Sequence, residues 1–173
     1  MTQPLNEKLE AAFDGVRVDT PSKDRIAVHV QKETLLSVLS FLKKNGYNHL
    51  GLISCVDWID EDAFEMVYIL SAYLKDEGTA AQNGNINVIL KTRISRLKAA
   101  IASVIPVFEN AEPYEREIHE LYGIHFEGHP RLTPLFLERE YEIPPFRKDF
   151  DTRQYVKDFF DTIPAIENKT GRS

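Results

Sequence analysis

The stretch YEREIHELYGIHFEGHPRLTPLF, residues 114–136, concentrates charged and titratable side chains. It contains four glutamates, two arginines and three histidines. Histidine and carboxylate side chains bind zinc and iron, so a stand-alone metal-dependent hydrolase is the first hypothesis that these residue types raise. The potential ligands are His119, His125, His129, Glu115, Glu117 and Glu120.

The spacing of these residues does not favour a metal site. The sequence HELYG begins like a zinc-protease helix, but no second histidine stands four residues after His119. Gly123 is expected to end the helix before His125, so ligands would have to come from both sides of a helix end. A hydrolase that uses His119, Glu115 and His129 remains the alternative from a different functional class.

Other catalytic patterns are missing or cannot be identified from sequence. There is no Gly-x-Ser-x-Gly elbow and no glycine-rich phosphate loop, and the only cysteine, Cys55, lies in the apolar run LISCVDW. A pair of carboxylates for acid/base chemistry stays open, because only geometry identifies such a pair.

Helical spacing gives the charges of residues 112–122 a different interpretation. Arg116 has Glu112 four residues before it and Glu120 four residues after it, and Glu115 with His119 forms a second such pair. An arginine held between two carboxylates presents a fixed fork, suited to a carboxylate or a backbone carbonyl across an interface. The alternative is a solvated charged face, in which each pair adds about 0.2 to 0.5 kcal/mol. The apolar stripe of the predicted helix consists of Tyr114, Ile118 and Leu121.

Length and composition limit which classes of protein are possible. The 173 residues are enough for one domain with an appendage, and the net charge of −6, without a basic stripe, does not favour nucleic-acid binding. No signal pattern opens the chain and no window approaches the roughly 20 apolar residues of a membrane span. We therefore expect a protein that is cytoplasmic, or peripheral to a membrane through partners.

The elements that must position the charged stretch follow from periodicity. The order is helix, two strands in a hairpin, helix, and three strands in a meander, which predicts a two-layer α/β sandwich: a mixed sheet with helices on one face. The corresponding sequences are PLNEKLEAAF, VRV and RIAVHV around the turn DTPSKD, KETLLSVLSFLKKNG, HLGLISCVDW, AFEMVYILSAYLK and NINVILKTRI. A further helix is predicted over SRLKAAIASVI, with Ser95 as its N-cap and Leu97, Ala100, Ile101 and Val104 on one face.

After residue 125 the composition changes. Residues 126–173 hold five of the nine prolines and eight of the eighteen aromatic residues. Prolines disfavour long helices and central strands, whereas aromatic residues need a surface on which to be buried. We predict an α/β domain over residues 1–125 and an extended C-terminal tail over residues 126–173 that is buried on another protein. Tyr155, Val156, Phe159 and Phe160 fit one face of a short helix in this tail.

Two motifs carry a family resemblance. The stretch that begins at residue 114, together with PPFRKDF, resembles the signature of the 30-kDa (C) subunit of respiratory complex I. Counterparts occur in F(420)H(2) dehydrogenases and in energy-converting nickel-iron hydrogenases. Where many members carry Asp, this chain has Glu120. The matching residues are Glu115, Arg116, Glu117, Gly123, Ile124, Phe126, Gly128, His129, Pro130, Pro145, Arg147, Lys148 and Asp149.

The resemblance implies a two-layer α/β fold whose C-terminal extension wraps a hydrogenase-like large (49-kDa, D-type) subunit, beside a small iron-sulfur (B-type) subunit. It implies no cofactor on this chain, with iron-sulfur clusters and electron carriers on partner subunits. It also implies a peripheral position on the cytoplasmic side of the cell membrane. The residues expected to contact partners are Glu115, Arg116, Glu117, Phe126, His129, Pro130, Arg147, Lys148, Asp149 and Phe150.

Overall fold

A computed structural model describes residues 4–22, 24–72, 86–137 and 141–159, with only the backbone given for 158 and 159. Within these ranges five strands form one sheet in the order β1-β2-β5-β4-β3. Strand β2 runs parallel to β5 and the other neighbours are antiparallel, so the sheet is mixed, as predicted. The strands are β1 Arg17–Ser22, β2 Arg25–Val30, β3 His49–Trp58, β4 Ala63–Ser71 and β5 Asn87–Ser95.

Helices α1 (Leu5–Ala12) and α2 (Leu35–Lys44) supply apolar side chains to the core. Leu39 and Leu42 of α2 are fully buried, and they belong to one hydrophobic cluster with Met66 and Leu90 of the sheet. This layering confirms the predicted α/β class. Ile118, Ile124 and Phe126 of the charged stretch belong to the same cluster, so part of that stretch is itself core.

The predicted hairpin and meander are both present, with one difference in length. Strand β1 continues through Ser22, where the sequence predicted a turn from Asp19 onward. Its register shifts between Asp19 and Ser22, which lets the strand accommodate Pro21 at an edge of the sheet. Residues 73–75 and 85, at the predicted ends of the last two meander strands, lie outside the described residues.

The helix predicted over SRLKAAIASVI is wrong. After β5 the chain turns, with the Leu97 N–H bonded to the Ser95 hydroxyl at 3.2 Å, and then forms the short strand β6 (Ala100–Ala102). Leu97 is 84% exposed, although a helix would place it on the same face as the buried Ile101. Within β6 the buried Ile101 lies between the half-buried Ala100 and Ala102, which is the alternation of a strand. Parallel pairing of β6 with β7 (His125–Glu127) brings Ile101 opposite Phe126, a long-range contact that local periodicity does not reveal.

Helix α3 (Glu112–Tyr122) confirms the helix predicted for the charged stretch, and α4 (Thr152–Phe159) confirms a short helix in the tail. Helix α3 ends at Gly123, whose φ of 75° is the left-handed cap expected there. A Cβ at this position would lie 3.0 Å from the Pro144 ring, because the tail crosses the helix end. In the ranges given above, no helix is long and apolar enough to cross a membrane.

Candidate partner interface

The side of α3 that carries Arg116 binds the protein's own tail. The Arg116 guanidinium donates to the carbonyl oxygens of Thr133 at 3.0 Å and Pro134 at 2.9 Å, and it lies 3.4 Å from the Glu112 carboxylate. The predicted pair with Glu112 is therefore present. The fork expected to reach across an interface is instead occupied by carbonyl groups of the same chain.

Glu120, on the same side of α3, binds the next part of the tail. Its carboxylate accepts N–H bonds from Leu135 at 3.0 Å, Phe136 at 3.0 Å and Leu137 at 2.6 Å. Burial alone would raise the pKa of Glu120, but these three N–H groups and the Arg116 charge outweigh it and hold the pKa below its ordinary value. The carboxylate is therefore ionised at neutral pH and fixes three consecutive backbone groups.

A second attachment joins the tail to the end of the sheet. Arg96, after β5, binds both carboxylate oxygens of Asp57 at 2.8 and 3.1 Å and also binds Asp149 of the tail at 2.9 Å. The Lys148 N–H donates to Asp57 at 2.9 Å. The side chains of Arg96 and Asp57 are only 8% and 3% exposed, so this pair is buried, whereas Lys148 and Asp149 of the tail are exposed. We call these four residues the Asp57 latch.

Large aromatic side chains remain on the surface of the attached tail. Phe136 is 66% exposed and Phe146 is 58% exposed, and the nearby Ile143 is also exposed. The Phe146 ring touches Tyr122 edge-on with 5.9 Å between centroids, so it is only partly supported by the domain. The sequence predicts aromatic residues in the tail that the domain does not bury, and these exposed side chains agree with that prediction.

The other predicted contact residues differ in their exposure and in their neighbours. Pro130 and Lys148 are exposed, and Glu117 is half-buried. His129 accepts the Arg131 N–H at 2.9 Å, which stabilises the turn after β7. Phe150 packs against Tyr141 and Tyr155, with centroid distances of 5.9 and 5.6 Å.

Two of the predicted contact residues are buried inside the chain. Phe126 lies in the core, and the Glu115 carboxylate accepts the Val104 N–H at 2.7 Å. Burial raises the pKa of Glu115 to about 6, against the opposing effects of the Val104 N–H and the Ser103 hydroxyl. Glu115 fixes the segment after β6 to α3, and neither side chain offers a surface to a partner, so we leave both out of the contact surface.

The groups considered for catalysis have other structural roles. The predicted pair of Glu115 with His119 is not formed: Glu115 faces Val104, and His119 Nδ1 lies 2.8 Å from the Ile124 carbonyl oxygen. Among the described residues no three His, Cys, Asp or Glu side chains come together as a metal site would require. Burial, with the Asp57 charge, raises the pKa of Cys55 to about 12, so its thiol stays protonated at neutral pH.

Sequence reasoning missed Asp57 and Arg96, and it assigned Asp149 to a partner. One signal was available for Asp57. It alternates with Cys55 along β3, which places an acidic side chain on the buried face, and a buried carboxylate needs a charged or hydrogen-bonding partner. Arg96 carries no comparable signal, because the apolar residues of the segment SRLKAAIASVI have helical spacing.

Comparison with known proteins identifies relatives of this chain. A family described as "Respiratory-chain NADH dehydrogenase, 30 Kd subunit" matches residues 28–156. The chain is 34% identical over 151 residues to the C subunit of F(420)H(2) dehydrogenase from Methanosarcina mazei, covering 86% of this chain and 89% of that one. It is 32% identical over 137 residues to the C/D subunit of NADH-quinone oxidoreductase from Yersinia pestis, covering 73% of this chain and 21% of the relative.

The fold also has a solved counterpart. A chain in the structure of the membrane-bound sulfane sulfur reductase, an archaeal respiratory membrane complex, superposes with a TM-score of 0.79. The match covers 96% of this chain and 95% of that one, at 23% identity. At this level of identity the likeness shows the fold alone.

Proposed function

Because this chain belongs to the family of the 30-kDa subunit of respiratory-chain NADH dehydrogenase, we propose that it is a non-catalytic structural and assembly subunit. The assembly is a membrane-attached, ion-translocating redox complex of the NADH-quinone oxidoreductase type. The same role in an F(420)H(2) dehydrogenase or an energy-converting hydrogenase is the alternative. Its place is peripheral, on the cytoplasmic side of the cell membrane.

The observation that carries the choice of partner is the relative whose name joins C and D in one chain, of which this chain matches about a fifth. A fusion keeps two subunits together permanently, which supports a hydrogenase-like, D-type large subunit as the neighbour of this chain. The small iron-sulfur (B-type) subunit is the second proposed partner. We propose that iron-sulfur clusters and electron carriers reside on these partners and that this chain contributes none.

The arrangement of the described residues supports a scaffold role. The titratable groups of the charged stretch bind backbone groups of the same chain, as Arg116, Glu120 and Glu115 do. Groups engaged in this way fix the position of the backbone segments to which they bind. The surface that results is the one along α3 and the tail.

Mass spectrometry of proteins that co-purify with the tagged chain from native membranes tests the proposal. We expect a D-type large subunit and a small iron-sulfur subunit in stoichiometric amounts. An accompanying diaphorase or nickel-iron large subunit would identify the complex. Recovery of this chain alone, from membranes in which the complex remains intact, would contradict the proposal.

Elemental analysis of the pure chain tests the hydrolase hypothesis separately. A scaffold protein of this kind is expected to contain no stoichiometric zinc or iron. Stoichiometric metal that is lost in His119→Ala and retained in His49→Ala would favour a metal-dependent enzyme, because only His119 belongs to the proposed ligand set.

A further inference from the structure

The backbone around Phe136 is fixed on both sides although its ring is exposed. Arg116 binds the carbonyl oxygens of residues 133 and 134, and Glu120 binds the N–H groups of residues 135–137. Charge-assisted bonds to backbone are the stronger class of hydrogen bond, so this segment has a defined course along α3. The Phe136 ring is held outward by it.

Phe146 is held in a similar way, about ten residues further along. Its N–H donates to the Leu121 carbonyl oxygen at the end of α3, at 3.0 Å. Two residues later, the Lys148 N–H donates to the Asp57 carboxylate, as part of the Asp57 latch. The Phe146 ring rests with one edge on Tyr122, and more than half of it faces outward.

An exposed phenylalanine on a fixed backbone gives the isolated protein little stability, because its apolar surface stays in water. The same arrangement suits binding. Aromatic residues that enter pockets on a partner dominate the energy of many interfaces, and fixing the backbone beforehand removes part of the ordering cost. The polar residues of the motif thus act as supports for two apolar anchors.

The partner that these two rings fit best is the D-type large subunit. Exposed residues within five positions of the two rings in the sequence carry charges of both signs, which does not suit an anionic membrane surface; they include Arg131, Glu142, Lys148 and Asp149. The fused C/D relative supplies a protein neighbour for this domain. Ordered aromatic residues with a mixed-charge rim are the usual composition of a protein–protein interface.

We infer that Phe136 and Phe146 are the anchors by which this chain binds the D-type large subunit, and that the contacts of Arg116, Glu120 and Asp57 order the tail before binding. This inference rests on the proposed function. It differs from the expectation drawn from the sequence, because it assigns the polar motif to intramolecular support and the binding energy to two residues outside the original contact set.

The test measures the affinity of the full-length chain for the purified large subunit of the same organism, for Phe136→Ala, Phe146→Ala and the double variant. The matched control is Leu97→Ala, which removes an even more exposed apolar side chain from a turn outside the tail. We expect each anchor variant to weaken binding about 10- to 30-fold and the control to stay within about twofold.

The outcomes of this experiment distinguish a failure of the proposed function from a failure of the anchor assignment. If the wild-type chain does not bind the large subunit, the proposed function is contradicted and the inference fails with it. Wild-type binding with anchor variants that match Leu97→Ala overturns the inference alone. A wild-type dimer that the double variant converts to a monomer, with unchanged affinity for the large subunit, assigns the rings to a second copy and also overturns it. Phe136→Ala keeps the test valid if Phe146→Ala unfolds, since Phe136 is the more exposed of the two rings.

Discussion

Helix α3 packs Ile118 against the hydrophobic core on one side, while on the opposite side Arg116 and Glu120 bind the backbone of the tail. The first side gains its stability from apolar area removed from water, which scales with burial. The second side gains it from charge-assisted hydrogen bonds near the surface, whose net contribution is smaller.

The difference explains how one helix serves two purposes. Burial on the core side makes α3 part of the cooperative unit that unfolds with the sheet. Polar contacts on the tail side fix the course of the backbone without burying the aromatic side chains that it carries. A surface can therefore be ordered and still present apolar residues to a partner.

The largest expected effect concerns the Asp57 latch, where a tail contact extends into the buried part of the molecule. Arg96→Ala leaves the Asp57 carboxylate buried without its charged partner, so we expect a loss of about 3 to 5 kcal/mol in the free energy of unfolding. Denaturant titration measures this loss. Arg17→Ala, which removes a 3.2 Å surface pair with Asp19, is the control and should lose far less. Equal losses would show that the latch is not buried in solution.

The two sides of α3 can be compared directly by substitution. Ile118→Ala removes a core side chain and should lower the free energy of unfolding by about 2 to 5 kcal/mol. Arg116→Ala removes surface contacts and should lower it by about 1 kcal/mol. Both values come from the same denaturant titration, and a larger loss for Arg116→Ala than for Ile118→Ala would reverse the proposed division of the helix.

Glu115 on the core side predicts a pH dependence. Its pKa is raised from an ordinary 4.5 to about 6 by burial, so the folded state holds this proton more tightly than the unfolded state. The contribution of Glu115 to the free energy of unfolding is therefore fully present below pH 4.5 and is lost as the pH rises through about 6. The fall amounts to about 2 kcal/mol from this group.

Glu115→Gln isolates that contribution. The amide keeps an oxygen for the Val104 N–H and does not titrate, so the difference in unfolding free energy between wild type and variant should change by about 2 kcal/mol between pH 4.5 and pH 7. Other carboxylates titrate in both proteins and cancel. A difference that stays constant over this interval would show that Glu115 is solvated or protonated equally in both states.

Sequence periodicity predicted the mixed sheet, the helices on the core and α3, because each has a local pattern of apolar residues. It failed for β6, since Ile101 is positioned by pairing with Phe126 across the molecule, and three residues are too few to distinguish a strand from a helix. At the interface, sequence reasoning identified the charged residue types but not the groups that they bind. Equal spacing on both sides of Arg116 could not reveal that Glu120 faces the tail.

The smallest expected effect on overall stability is that of Glu120→Ala, and it tests the central claim most directly. Hydrogen exchange of the isolated full-length chain should show the amides of Leu135, Phe136 and Leu137 protected, because the Glu120 carboxylate accepts all three. Glu120→Ala should remove that protection and leave core amides such as that of Leu90 unchanged. Glu117→Ala, on the same helix, is the control and should keep it. Exchange of these three amides at unstructured rates in the wild type would contradict a tail ordered before its partner binds.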